Sequence, residues 1–468
     1  MSSTSAALIL GLASALTAAC RTVNPAFCDS HPDDRDCRTD AAPGMARDAG
    51  PGAVPDAVID AVLDAGGCTA DLQCAGATAV CDAARGRCVA CTAAEPGACR
   101  DGAPVCGDGD VCRGCLGDAE CASRTCLPDG ACAAPGSVLY AAAPPAGSAT
   151  APCTPAAPCT LPRAVALVDA TRSTVRLDPG RYDLADALVL AVDLRIVGRD
   201  ATIDRDAGGT GATLQIADGA TVALDYVAIE GGDGEATGSG IACTAATVIG
   251  REITVEGNAA AGINSIGCDL ALHHAWIAAN QGPGIAASGG SLAVVRSQLI
   301  GNQAGGLAIT AAPFVVQNNV IVKNGNPTSG FGGVSIAQIA ARGMHAFDFN
   351  TVAQNQAADG STPGVICSIV TTPLVFSSNI VFGNAAGAQV EGSSCAWTYS
   401  DVGPVPVAGT GNLTSDPAFL APAQNNFHLQ VSSPLRDAAD PAATLADDLD
   451  GDPRPQGRGR DVGADEIK

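Results

Sequence analysis

Asparagine recurs at positions 258, 280, 302 and 324, in equal steps of 22 residues, and then at 355 and 384 in steps of 31 and 29. A fixed step of this length limits the chain to a stacked repeat. The surroundings of each Asn repeat as well. An aliphatic residue stands three before it (Val255, Ile277, Leu299, Ile321, Val352, Val381), and a Gly-apolar pair follows (Gly262-Ile263, Gly284-Ile285, Gly306-Leu307, Gly333-Val334, Gly364-Val365). Eight and ten residues before the Asn the chain is again mostly apolar, as at Leu272 and Leu270 or Val294 and Leu292. Each unit therefore holds three short segments of period-two alternation, and none has a 3.6-residue period.

Three short strands per turn is the pattern of an all-β fold, a right-handed single-stranded parallel β-helix. In that fold no coil buries its own inner face, and stacking makes the core. Asn258, Asn280, Asn302, Asn324, Asn355 and Asn384 then form a ladder, each at a bend, tolerating left-handed backbone and bonding to the amides above and below. A second column starts at Asn319, Asn350 and Asn379. Ile203 and Ile229 carry the pattern upstream, giving about eight or more coils and a rod roughly 40 Å long at one strand spacing per coil. The longer steps put projecting loops in "GNPTSGFGG" and "NQAADGSTPG", where variable recognition is expected.

The net charge of −23, with Lys only at 323 and 468, argues against nucleic acid or an anionic membrane surface as partner. Residues 1–19 read as a secretory signal and Cys20 as a lipidated first residue, although no Lys or Arg precedes the apolar run. Residues 20–67, rich in Ala, Pro, Gly and Asp, read as a flexible tether. The other twenty cysteines fall in even groups, as disulfides in an oxidising compartment would. Twelve lie in 68–132 as three modules of four, and Cys28 with Cys37, Cys153 with Cys159, Cys243 with Cys268 and Cys367 with Cys395 make four further pairs. Cys88-x-x-Cys91 and Cys112-x-x-Cys115 offer a rival zinc reading, which leaves eight neighbouring cysteines without a role. The β-helix is assigned to 133–412, with a helix over Leu161–Asp169 covering its first coil, and 413–468 is expected to cap the opposite edge.

The tail "DPAFLAPAQNNFHLQVSSPLRDAADP…DLDGDPRPQGRGRDVGADE" resembles the C-terminal region of choice-of-anchor Q proteins, bacterial surface proteins on a pectate-lyase-like β-helix. The resemblance covers roughly Ser137 to Glu466. The Cys-rich modules and "NPAFCDSHPDD" resemble cell-surface lipoproteins of myxobacteria. Together these imply an extracytoplasmic protein anchored to a bacterial membrane, facing the outer membrane or cell surface. Attachment then rests on Cys20.

Between Ile241 and Ser400 lie four basic residues (Arg251, Arg296, Lys323, Arg342) and six acidic ones (Glu252, Glu256, Asp269, Asp348, Asp359, Glu391), with no two carboxylates in one phase of neighbouring coils. That is poor material for cleaving glycans. The catalytic candidate is the column Glu252, His274, Arg296, in which the imidazole would serve as base; a cross-coil salt-bridge column is the plainer reading. In the tail, Asp448, Asp450 and Asp452, with Asp447, suit calcium, and Asp–Arg pairing in a cap is the alternative. No other cofactor is implied. The sequence thus leads to a structural, adhesive or ligand-binding rod for an extracellular polysaccharide or surface protein, with a polysaccharide lyase or hydrolase as the rival.

Overall fold

The computed structural model describes residues 68–468 apart from 69, 72–73, 75–77, 93–97, 101, 206–209, 235–236, 339–342, 369–373 and 386. The signal segment, Cys20 and the tether lie outside the described residues. The described chain forms two units, divided after Gly136.

In the first unit every four-cysteine module is joined first to third and second to fourth: Cys68–Cys81 and Cys74–Cys88, Cys91–Cys106 and Cys99–Cys112, Cys115–Cys126 and Cys121–Cys132. Short hairpins carry them, Val80–Asp82 against Arg87–Val89 and Val105–Gly107 against Val111–Arg113. The buried cluster of the third module is Cys115, Cys121 and Cys126 themselves, so the cross-links replace a core too small to form. All four cysteines of the zinc reading are oxidised, which removes that alternative.

The second unit is the right-handed parallel β-helix, all-β as the repeat requires. Each regular coil supplies one strand to each of three faces. Face A is a nine-stranded parallel sheet from Leu188–Leu190 to Val390–Glu391. Face B includes Thr247–Arg251, Asp269–His273, Ser291–Val295 and Phe314–Gln317. Face C includes Thr254–Glu256, Trp276–Ala278, Gln298–Ile300 and Val320–Val322. The aliphatic positions that precede the ladder stack without a slip: Tyr182, Ile203, Ile229, Val255, Ile277, Leu299, Ile321, Val352, Val381 and Val402. Nearly all are wholly buried, each worth about 1.5–3 kcal/mol of apolar burial. Towards the far end the core turns aromatic, with Phe347 5.0 Å from Phe376 and Phe376 5.3 Å from Trp397. The three predicted disulfides of this unit are formed.

The ladder is continuous. The Asn280 side chain donates from Nδ2 to Asn302 Oδ1 at 2.8 Å and to the Val255 carbonyl at 3.1 Å, while its Oδ1 accepts from Asn258 Nδ2 and backbone N–H. Asn302, Asn324 and Asn355 repeat this pattern, and Gln389 closes it beyond Asn384. One detail of the expectation is corrected. The left-handed residue is not the Asn but the one before it: Gly257, Ala279, Gly301, Lys323, Gln354 and Gly383 all have positive φ. The Asn needs its own backbone N–H for the rung, and the turn is made one residue earlier.

The helix spans Leu161–Ala166, shorter than predicted, and buries Leu161 and Ala164 against the first strands of face B. At the other end residues 410–413, not the tail, lie on the last coil. Tyr399 N–H donates to Thr410 O at 2.8 Å and Leu413 N–H to Ser400 O at 2.9 Å.

Asn302→Ala strands two buried donors of Asn280 and the Ile277 carbonyl, so urea unfolding should show a loss of about 3–5 kcal/mol. Asn264→Ala, on the outer side of face A, should stay within about 0.5 kcal/mol. In the last strand of face C, burial pushes the Asp401 carboxyl up to about 7. The folded state therefore holds a proton that the unfolded chain releases near pH 4. Asp401 should contribute a fall in stability from about pH 4 to pH 7, of at most about 1.4 kcal/mol per pH unit. Melting of Asp401→Asn should show a shallower slope over that window than the parent chain.

Candidate functional site

At the bend between faces B and C one residue per coil is left-handed: Tyr226, Glu252, His274, Arg296, Asn318, Phe349, Ser378 and Tyr399. A non-glycine residue there costs about 1–2 kcal/mol. In most of these coils the next residue recovers it by donating its N–H to the second polar column: Ala275 to Ser297 Oγ, Ser297 to Asn319 Oδ1, Asn319 to Asn350 Oδ1 and Asn350 to Asn379 Oδ1. Glu252, His274 and Arg296 therefore do form one column. Glu252 N–H donates to His273 O, and His274 N–H to Val295 O.

From Arg296 onward the column is not open, because the tail lies along it. The tail runs over the flank of face C rather than over the end of the rod, which corrects the cap expectation. Phe427, Leu449 and Ala464 pack on Trp276, Ile300, Val320 and Val322, while Leu429, Leu435, Val462 and Ile467 pack on Phe349 and Ile380. The physical reason is that face C in these coils turns Trp276, Ile300, Val320, Val322 and Ile380 outward, and without the tail they would form a hydrophobic patch in water.

Polar contacts fix the tail to successive left-handed residues. Arg296 Nε donates to Leu449 O at 3.1 Å and its guanidinium lies 3.5 Å from Asp447. Asn318 Nδ2 donates to Asp447 O at 2.7 Å. Arg454 stands 4.7 Å over the Phe349 ring, and Ser378 Oγ accepts from Asp440 N–H at 3.0 Å. The guanidinium of Arg296 is thus engaged by the tail.

The tail motif is explained by this docking. Arg454 and Glu466 are fully buried and paired at 3.1 Å, with Arg454 also donating to the carbonyls of Asp461 and Gly463. Asp448 accepts from the backbone N–H of Asp450, Asp452 and Glu466. Asp452 pairs with Lys468 at 2.7 Å. The side-chain oxygens of Asp448, Asp450 and Asp452 do come within 4.8 Å of one another, but two of the three are already committed to holding the loop.

His273 and His274 stack at 4.4 Å. Burial, assisted by Arg296, lowers the His273 imidazole to about 3 and holds that of His274 well below its usual range. A base so weak is mismatched to chemistry near neutrality. The acidic census, by contrast, missed a column because it began at Ile241. Asp183, Asp204, Glu230 and Glu256 occupy one register on face C, the last three in steps of 26. Arg181 bridges Asp204 at 2.5 Å and Glu230 at 3.1 Å. Burial first, and then Glu230, raises the Glu256 carboxyl.

The family profile described as the right-handed beta helix region matches residues 239–401, the most regular stretch of the ladder. No curated protein matches the sequence. Among solved structures, pectate lyase Pel9A aligns at 14% identity over 71% of this chain and 96% of its own, with a TM-score of 0.48. The pectin methylesterase from Aspergillus niger in deglycosylated form aligns at 16% identity over 59% and 93%, with a TM-score of 0.31. A rhamnogalacturonan lyase aligns at 11% identity over 69% and 96%, with a TM-score of 0.26.

Arg454→Met leaves Glu466 buried and unpaired, at a cost of about 3–5 kcal/mol. Limited proteolysis should then cut within 413–468 while the far-UV signal of the rod persists. Arg454→Met with Glu466→Leu removes the unpaired charge but leaves the carbonyls of Asp461 and Gly463 and the N–H groups of Gln456 and Asp461 without these partners, so it should restore only part of the resistance.

Proposed function

We propose that the chain is an extracytoplasmic, lipid-anchored rod that binds an uncharged extracellular polymer along face A without cleaving it. One observation carries this reading. The outward residues of face A are Val189, Gln215, Ala242, Thr244, Asn264, Ile266, Ala286, Ser288, Ala308, Thr310, Ser335, Ala337, Ile366 and Ser368, and none is charged until Glu391 in the last strand. A chain with 48 acidic residues has kept them off the first eight strands of this nine-stranded sheet. Amide and hydroxyl groups recur there at about one strand spacing, roughly 4.8 Å, along an unbroken ladder. The overall negative charge repels acidic polymers, so the favoured ligand is neutral.

Hydrolysis of a glycan is the second reading, favoured by Glu230 and Glu256. Arg181 pairs with Glu230 at 3.1 Å, while burial raises the Glu256 carboxyl. A carboxyl so raised beside a second carboxylate is the material of a general acid.

Both readings are separated by incubating the full chain with neutral and acidic polysaccharides, scoring co-sedimentation and new reducing ends. Retention on a neutral polymer, weakened at least tenfold by Ala286→Asp and Ala308→Asp together, with no products, is the expected result. Products that vanish in Glu256→Gln would replace binding with hydrolysis.

A further inference from the structure

His428 lies in the tail strand Asn426–Leu429, where that strand meets the loop of Asp448 to Asp452. Its Nδ1 is 2.7 Å from Asn426 Oδ1, and that same oxygen accepts the His428 backbone N–H at 3.1 Å. The Asn atom is thereby fixed as an acceptor, so the ring nitrogen facing it carries the proton. The other nitrogen, Nε2, then points a lone pair at Asp450 Oδ2, 2.7 Å away. Two acceptors at that distance need a cation between them, either a second proton on the ring or a metal ion.

Three observations favour the metal. The ligand atoms of His428, Asp450 and Asp465 all lie within 4.8 Å of one another. The Asp450 side chain is only 9% exposed, and its second oxygen, Oδ1, is buried with no hydrogen-bond partner. Beside the group a cavity of about 10 Å³ opens, bounded by His428 and Asp465 and by Val320, Phe427 and Leu449. It has room for one water-sized particle. Of the nearby carboxylates, Asp447 is paired with Arg296, Asp452 with Lys468 and Glu466 with Arg454, and Asp448 is held by three backbone N–H donors. Asp450 and Asp465 are the two that share one imidazole.

We propose that His428 Nε2, Asp450 and Asp465 bind one divalent ion of the zinc class, which fastens the tail to the flank of face C. One nitrogen with two carboxylates suits a borderline ion better than calcium, which takes six to eight oxygens. Zinc holds such ligands at about 2.0–2.2 Å, which sets two of them roughly 3.4 Å apart, so His428 Nε2 and the Asp450 oxygen 2.7 Å from it separate slightly while Asp465 closes in to bring all three onto one ion. Asn426 already orients the ring for it, as partners behind metal-binding histidines do.

The test loads the metal-stripped full chain with Co²⁺ and with Zn²⁺. One equivalent of Co²⁺ should give a visible absorption band that Zn²⁺ displaces, and Zn²⁺ should raise the melting temperature and protect 413–468 from protease. His428→Gln and Asp465→Asn, each confirmed as folded by far-UV circular dichroism, should weaken binding at least tenfold. Equal binding by these variants would overturn the assignment. So would stabilisation by Ca²⁺ that survives His428→Gln, which would place the ion on the Asp448–Asp452 loop. Failure of every ion to shift melting would leave a protonated His428–Asp450 pair and no metal. None of these outcomes depends on what face A binds.

Discussion

The amide of one asparagine, bonded to the amide above and the amide below, sets the geometry of the rod. Each ladder residue uses its Oδ1 for two donors of one neighbouring coil and its Nδ2 for acceptors on both sides. Such a side chain can be fully buried without an unsatisfied group, but only if an amide oxygen follows it in register, from the next Asn or, at the end, from Gln389. A slip of one residue would strand both amides in the core. The ladder thereby explains where the chain varies. Ten residues separate Leu292 from Asn302, Phe314 from Asn324, His345 from Asn355 and Leu374 from Asn384. The stretch through faces B and C is held constant. The longer steps add residues only between the Asn and face A, and between faces A and B.

Much of this was legible because it is periodic. The ladder, the buried aliphatic column and the paired cysteines from Cys68 onward follow from spacing and are present at the residues expected, and the starting helix is present but ends at Ala166. What spacing did not give is whatever depends on one residue's backbone or on contacts distant in sequence. The left-handed position precedes Asn280, at Ala279, because the rung uses the Asn N–H. An alanine there carries no signal. Glu230 and Glu256 share a phase at 26 residues, which counting could have found had it begun one coil earlier. The course of the tail was unreadable for a different reason: Arg296 meets Leu449 across 153 positions, and no local pattern encodes that.

Charge is sorted between the faces. Face A is neutral and regular. The upstream part of face C carries Asp183, Asp204, Glu230 and Glu256 around Arg181. Its downstream part is apolar and sealed by the tail. A rod whose coils are chemically alike inside can therefore differ outside from face to face, since inner and outer residues alternate along every strand. The stacking interaction constrains only the inner set.

Stacked repeats are stabilised mainly through contacts between adjacent coils, so their cooperativity is local. The tail changes that. It engages Arg296, Asn318, Phe349 and Ser378 in four successive coils through one segment, and Arg454 with Glu466 holds the segment in a single shape. Opening any one of those coils forfeits contacts that the others also depend on. The left-handed bend column, which first suggested a line of catalytic residues, is thus the ridge along which distant coils are coupled. Glu252 and His274 lie in the coils beyond Arg296, where the column passes out of the reach of these tail contacts.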